Sequence, residues 1–111
     1  MARLPNSEQA ILDVRKLEDY CLNSGHPRGR HKARLFRETL SLAREDAQWL
    51  RRVVLSAIGN REAIELAADQ FGARWRADVP VSRHGKTVVV RTMWIVRVGE
   101  NAPRFVTCWV L

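Results

Sequence analysis

The densest group of side chains able to move protons or hold phosphate is His26-Pro27-Arg28-Gly29-Arg30-His31-Lys32, which combines two imidazoles, two guanidiniums and an ammonium. Imidazole titrates near pH ~6.5 and can both take and give a proton around neutrality. A ribonuclease working without a metal needs one group to activate the ribose 2′-hydroxyl and another to protonate the leaving oxygen. It also needs cations to stabilise the charged phosphorane. His26 or His31, Lys32, Arg91 and a strand hydroxyl such as Thr107 match those needs. Each also has a plainer reading, since a loop histidine beside proline orders its turn and a strand threonine serves β-propensity.

A second concentration of charge is set by periodicity. From Phe71 the pattern alternates, with Phe71, Ala73, Trp75, Ala77 and Val79 between Gly72, Arg74, Arg76 and Asp78, and this predicts a half-buried strand with a basic outer face. Thr87 to Val98 reads as a long strand whose Val88, Val90, Trp94, Val96 and Val98 look inward and whose other face carries Arg91 and Arg97. Arg83-His84-Gly85-Lys86 reads as a hairpin connection, and Arg104 to Leu111 as a closing strand after the turn Gly99 to Pro103. Arg74, Arg76, Arg91 and Arg97 then share the open face of an antiparallel sheet. Guanidiniums in such a row suit phosphate, because each offers bidentate hydrogen bonds. The alternative is an ordinary solvated face that blunts the sheet. Trp75, Trp94 and Trp109 interleave with these cations and could stack on bases, but the alternation weighs them as core first.

The elements that must position these groups come earlier in the chain. Val14, Leu17 and Cys21 fall at helical spacing behind Asp13, which suits an N-cap, and predict a short first helix to Leu22. Asn23 to Gly29 collects turn formers, and a second helix follows from Arg30 to about Leu40. The third is the clearest: Ala47, Leu50, Val53, Val54, Ala57 and Ile58 make an apolar stripe stopped by Gly59-Asn60, with Arg51 and Arg52 on its polar side. Trp49 departs from that stripe and is the tryptophan expected to be partly exposed. Arg61 to Asp69 fits either a short edge strand or a helical turn. The fold class expected is α+β, with three N-terminal helices packed on one face of a three- or four-stranded antiparallel sheet and residues 1–111 forming one domain.

Composition narrows the partners. Nineteen Lys and Arg against 12 Asp and Glu give a formal charge of +7, so a polyanion or an acidic protein is expected. No apolar run is long enough for a signal peptide or a membrane span, which predicts a cytoplasmic protein with no membrane partner. Cys21 and Cys108 are far apart and read as reduced core thiols. The three separated histidines carry no zinc-ligand spacing, and no P-loop, nucleophile elbow or dinucleotide-binding glycine turn is present, so neither a metal nor a cofactor is expected.

Several motifs taken together resemble one family. They are Lys16-Leu17-x-x-Tyr20-Cys21-Leu22-Asn23, His26-Pro27-x-Gly29-x-x-Lys32-Ala33-x-x-Phe36, Val90-Arg91-Thr92-x-Trp94-Ile95-Val96-x-x-Gly99 and Pro103-Arg104-x-Val106-Thr107. The pattern is similar to a small bacterial domain of unknown function that occurs alone and at the C-terminal tip of large secreted polymorphic toxins. Its layout is similar to the barnase, EndoU, colicin and RelE class of metal-independent ribonucleases. The resemblance implies a two-gene toxin and antitoxin arrangement, with RNA as substrate and a small acidic antitoxin-like protein covering the basic face. The matching positions are His26, Gly29, Lys32, Arg91, Thr92, Trp94, Arg104 and Thr107, of which Gly29 and Trp94 would serve the fold. The chain departs from the pattern where Phe71 and Trp75 stand for tyrosines, at the Arg83 to Lys86 turn, and at Trp109. The expected function is therefore a toxin-like ribonuclease, with catalytic His26, Lys32, Arg91 and Thr107 and with Arg30, His31, Arg74, Arg76, Arg97 and Arg104 binding nucleic acid or partner. The alternative is a non-catalytic basic module that docks an acidic protein or nucleic acid, and a DNA-binding regulator is weaker because no clear recognition helix appears.

Overall fold

The switch from helical to two-residue periodicity marks where the chain passes from helix to sheet. The computed structural model describes residues 2–111. Helical segments lie within Ser7 to Asn60, and strands follow: β1 (Ala63–Glu65), β2 (Gly72–Arg83), β3 (Lys86–Arg97) and β4 (Arg104–Val110). They pair antiparallel in the order β1-β2-β3-β4. The fold is α+β, and no helix among the described residues is long and apolar enough to cross a membrane.

Two full α-helices are present among the described residues. Helix α1 (Arg30–Leu40) buries Ala33, Phe36 and Leu40. It ends at Ser41, whose φ of 54° turns the chain so that the Ser41 and Leu42 N–H groups bond back to Arg37 O and Phe36 O. Helix α2 (Ala47–Ala57) buries Ala47, Leu50 and Val54, and the Asp46 carboxylate accepts from the Ala43 N–H at 2.9 Å in front of it. Trp49 is half-buried as expected. The predicted first helix is instead a π-helical turn, Leu17–Cys21, in which Leu22 N–H reaches Leu17 O five residues back. The segment 61–69 contributes the short strand β1.

Helix α1 packs over β3 and β4, and α2 over β2. The covered face presents Ala77, Val79 and Val81, then Val90, Thr92 and Trp94, then Phe105, Cys108 and Val110, all buried. Trp94 is fully buried edge-on to Phe105, and its Nε1–H donates to Thr92 Oγ1 at 2.8 Å. That hydroxyl in turn donates to Ala77 O at 2.6 Å. Thr92 thus satisfies a core indole and a strand carbonyl at once, as a buried polar group must.

The hairpin joining β2 to β3 turns at His84 and Gly85, with φ of 52° and 78°, the two-residue geometry whose twist matches the strands. Two strand-end expectations fail. Val98 is 76% exposed rather than inward, because β3 ends at Arg97 and the chain turns away. Phe71 is 60% exposed rather than part of β2. It sits in the tight turn Asp69 to Gly72, where Gly72 has φ +149° and an added Cβ would lie 2.2 Å from Val96 O, so the alternation cannot run through it.

Candidate functional site

Lys32, in the first turn of α1, reaches the edge strand β4. Its ammonium donates to Thr107 Oγ1 at 3.1 Å and to Tyr20 Oη at 3.3 Å. It also lies 4.8 Å from the centroid of the Tyr20 ring and 5.1 Å from that of Trp109, within cation–π range. One cation therefore ties the π-helical turn, α1 and β4 together. The π turn is what delivers Tyr20 and Cys21, adjacent in sequence, to the same place.

His26 stands against Tyr20, ring edge to ring face at 4.8 Å. Its Nδ1 accepts from the backbone N–H of both Arg28 and Gly29, each at 3.0 Å. A flipped ring would set a C–H against two N–H donors, so the orientation is determined. With Nδ1 engaged as an acceptor, the proton of the neutral ring sits on Nε2. Acting as base or acid would require protonating Nδ1 and breaking both backbone bonds. The geometry suits His26 as a fixed hydrogen-bond donor, a role in which neutral imidazole can polarise an oxygen. Gly29 makes the arrangement possible: an added Cβ would lie 2.1 Å from Tyr20 O. Lys16, Tyr20, His26, Arg28, Val106 and Thr107 line a cleft of about 460 Å³.

Beneath the cleft, Cys21 Sγ lies 3.6 Å from Thr107 Oγ1. Its thiol is pulled down from the ordinary 9.0 to about 6, chiefly by a hydrogen bond from the Cys108 thiol, against the opposing effect of burial, and further by Thr107 and the Lys32 charge. Cys108 is pushed well above the ordinary value by the same pairing and by its own burial. Both are buried and unbridged.

Strand register places the arginines. Directly paired residues share a face. The pairs Arg74↔Ile95, Arg76↔Met93, Asp78↔Arg91, Gly72↔Arg97 and Ile95↔Arg104 therefore set Arg74, Arg76, Arg91, Arg97 and Arg104 on the face opposite the core. Arg91 pairs with Trp109, the ring beneath Lys32, and Lys16 and Val106 line both the cleft and a hollow that holds Arg74 and Arg97, so the cleft borders this arginine face. Most of these cations are not idle. Arg91 grips Asp78 through both nitrogens at 2.9 and 3.0 Å, Arg74 holds Asp69 at 2.7 Å, and Arg104 holds Glu100 at 2.9 Å. Arg91, expected as a phosphate ligand, would have to share or exchange its carboxylate.

Of the catalytic candidates, His26, Lys32 and Thr107 come together, and Arg91 is one strand pairing away. Arg30 and His31 do not join them. They line a separate groove of about 430 Å³ with Arg34 and Arg37 over Leu22, Ala33 and Leu42. Sequence reasoning passed over Tyr20, Lys16 and Arg28 as site residues. Tyr20 was recoverable, being the only tyrosine in the chain and lying six residues before His26. Lys16 was not, because only the tertiary fold brings its ammonium to Phe105 O at 3.0 Å. Among the described residues, no group of three or more His, Cys, Asp or Glu converges as a metal site would require.

No curated protein and no solved structure matches the chain. The model of one family, described as a domain of unknown function (DUF6883), matches residues 3–111, and the chain belongs to that family.

Proposed function

We propose that this protein is a metal-independent endoribonuclease acting in the cytoplasm as the toxin-like half of a two-gene pair, with its cleft at Tyr20, His26, Lys32 and Thr107. The single observation that carries this reading is Lys32, whose ammonium joins the Tyr20 phenol to the Thr107 hydroxyl at the wall of a cleft that shares Lys16 and Val106 with the hollow holding Arg74 and Arg97. A scissile phosphate in the cleft meets the Lys32 ammonium, the Arg28 guanidinium and the His26 Nε2–H, three donors for the charge that builds on a phosphorane. Because Lys32 donates into the phenol oxygen, the Tyr20 proton is free to pass to the leaving 5′-oxygen. Lys32 then neutralises the charge left behind. Solvent in the open cleft takes the 2′-hydroxyl proton as the 2′-oxygen bonds to phosphorus and the P–O5′ bond breaks.

Incubation with total RNA in EDTA tests this. Cleavage is expected, falling about 100-fold or more in Tyr20→Phe and Lys32→Met and less in His26→Ala. No cleavage at high protein concentration, or cleavage indifferent to His26→Ala, overturns it. A second reading, a non-catalytic module that docks an acidic protein, is favoured by one feature: the Arg30, His31, Arg34 and Arg37 groove has an apolar floor and lies apart from the cleft. A stoichiometric acidic partner co-purifying with a protein that itself cleaves no RNA decides for it.

A further inference from the structure

The arginine face holds a second hollow of about 370 Å³, lined by Lys16, Phe71, Arg74, Ile95, Arg97 and Val106. Lys16 and Val106 line the Tyr20 cleft as well, so the two hollows are contiguous. The hollow has an aromatic wall, an apolar floor and cationic sides. Phe71 is 60% exposed although it is the kind of residue a core takes. It is held there deliberately: the Asp69 carboxylate accepts from the Phe71 N–H at 2.8 Å through one oxygen and from Arg74 Nε at 2.7 Å through the other. Gly72 supplies the backbone bend that only glycine fits. Among the described residues Arg97 forms no salt bridge and no side-chain hydrogen bond, so its guanidinium is free for a ligand. Lys16 spends one ammonium proton on Phe105 O and keeps two.

An aromatic face flanked by unspent cations suits a base and its adjoining phosphate, the pairing found where single-stranded nucleic acid is held without sequence readout. An acidic peptide would use the cations and leave the ring idle. We infer that Phe71 is a nucleobase-stacking subsite, with Arg97 and Lys16 holding the adjoining phosphate, for the nucleotide of a single RNA strand next to the one in the Tyr20 cleft. The substrate class rests on the ribonuclease reading. Arg74, already paired with Asp69, is the residue that orients the wall.

The test uses the full chain and an octanucleotide of 2′-O-methyl adenylate, which lacks the attacking hydroxyl and cannot be cleaved, beside an abasic oligomer of the same length. Phe71→Ala is expected to weaken adenylate binding about 5- to 150-fold, the span of one lost base stack, and to change abasic binding less than about twofold. Phe71→Trp restores it. Arg97→Ala is expected to weaken both ligands alike. Equal effects of Phe71→Ala on both oligomers, no effect on either, or wild-type binding to polyglutamate as tight as to the adenylate overturns the subsite. The outcomes separate from those of the ribonuclease reading. A protein that cleaves RNA but is indifferent to Phe71→Ala loses only the subsite, and one that binds with the predicted Phe71 dependence but never cleaves loses only the catalysis.

Discussion

Gly29→Ala isolates the contact on which the cleft is built. The backbone at Gly29 has φ −89° and ψ −14°, which alanine adopts freely, so the substitution introduces no torsional strain. In the unfolded chain it even removes about 0.4–1 kcal/mol of entropy cost. The penalty is steric. The new Cβ would meet Tyr20 O at 2.1 Å and Tyr20 C at 2.9 Å, and both are backbone atoms of a turn fixed by its own hydrogen bonds. Relief requires the 23–29 loop to move off the π-helical turn by about 1 Å. Overpacking of this kind costs roughly 1–3 kcal/mol, and the upper part of that range applies where neither side can rotate away. The net expectation is about 2 kcal/mol of lost stability, a fall in Tm of roughly 8 °C for a domain of this size. Gly25→Ala is the control. Its Cβ meets only the Asn23 side-chain oxygen at 3.3 Å, and its Tm should hold within about 2 °C. The assay is a pair of thermal melts followed by circular dichroism, with the His26 ring nitrogens followed by NMR. The same displacement lengthens the Gly29 N–H bond to Nδ1, so the ring nitrogen signals should move in Gly29→Ala alone. A Gly29→Ala protein that melts with the wild type and keeps its His26 signals refutes the view that this close approach positions the cleft.

Two further outcomes follow from buried groups. Thr92→Val leaves the Trp94 indole N–H buried and unpaired and takes the second hydrogen bond from the Ala77 carbonyl, costing about 1–3 kcal/mol in denaturant unfolding. Adding Trp94→Phe removes the stranded indole donor, so the double mutant should lose less than the sum of the two singles. Thiolate absorbance at 240 nm should rise with a midpoint near pH 6, since Cys21 is held at about 6. Cys108→Ala removes the largest cause and should move that midpoint upward. Between pH 6 and about 8 the unfolded chain binds the proton that folded Cys21 has lost. Stability should therefore rise with pH across that window and fall as pH drops through about 6. Cys108 stays protonated in both states there. An unmoved midpoint in Cys108→Ala contradicts the pairing.

Fold class and most elements were legible in the residues because burial imposes a period. The α2 stripe at Ala47, Leu50 and Val54 and the alternation through Ala77 and Val79 state which side faces the core. The pair His84-Gly85, at positive φ, fills a two-residue turn that the hairpin pattern already required. Local exceptions were less legible. The π-helical turn at Leu17–Cys21 differs from an α-helix by one residue of register, which so short a stretch cannot reveal. Phe71 reads as the start of β2 until Gly72 breaks the pleat.

The site was half legible. His26, Lys32 and Thr107 are residue types that ribonuclease chemistry uses, and they do meet. Their types could not say what each is bonded to. The two backbone N–H groups on His26 Nδ1 come from a turn only two and three residues long, and they change the ring from an acid–base candidate into a donor. The carboxylates on Arg74, Arg91 and Arg104 come from positions 4 to 13 residues away and reduce the free cations on the sheet. Sequence alone determined that this chain is basic, α+β and rich in arginine, because composition and periodicity are properties of the chain itself. Only the tertiary structure decided which side chains share a cleft, because Lys32 and Thr107 are 75 residues apart and meet solely where α1 crosses the edge of β4.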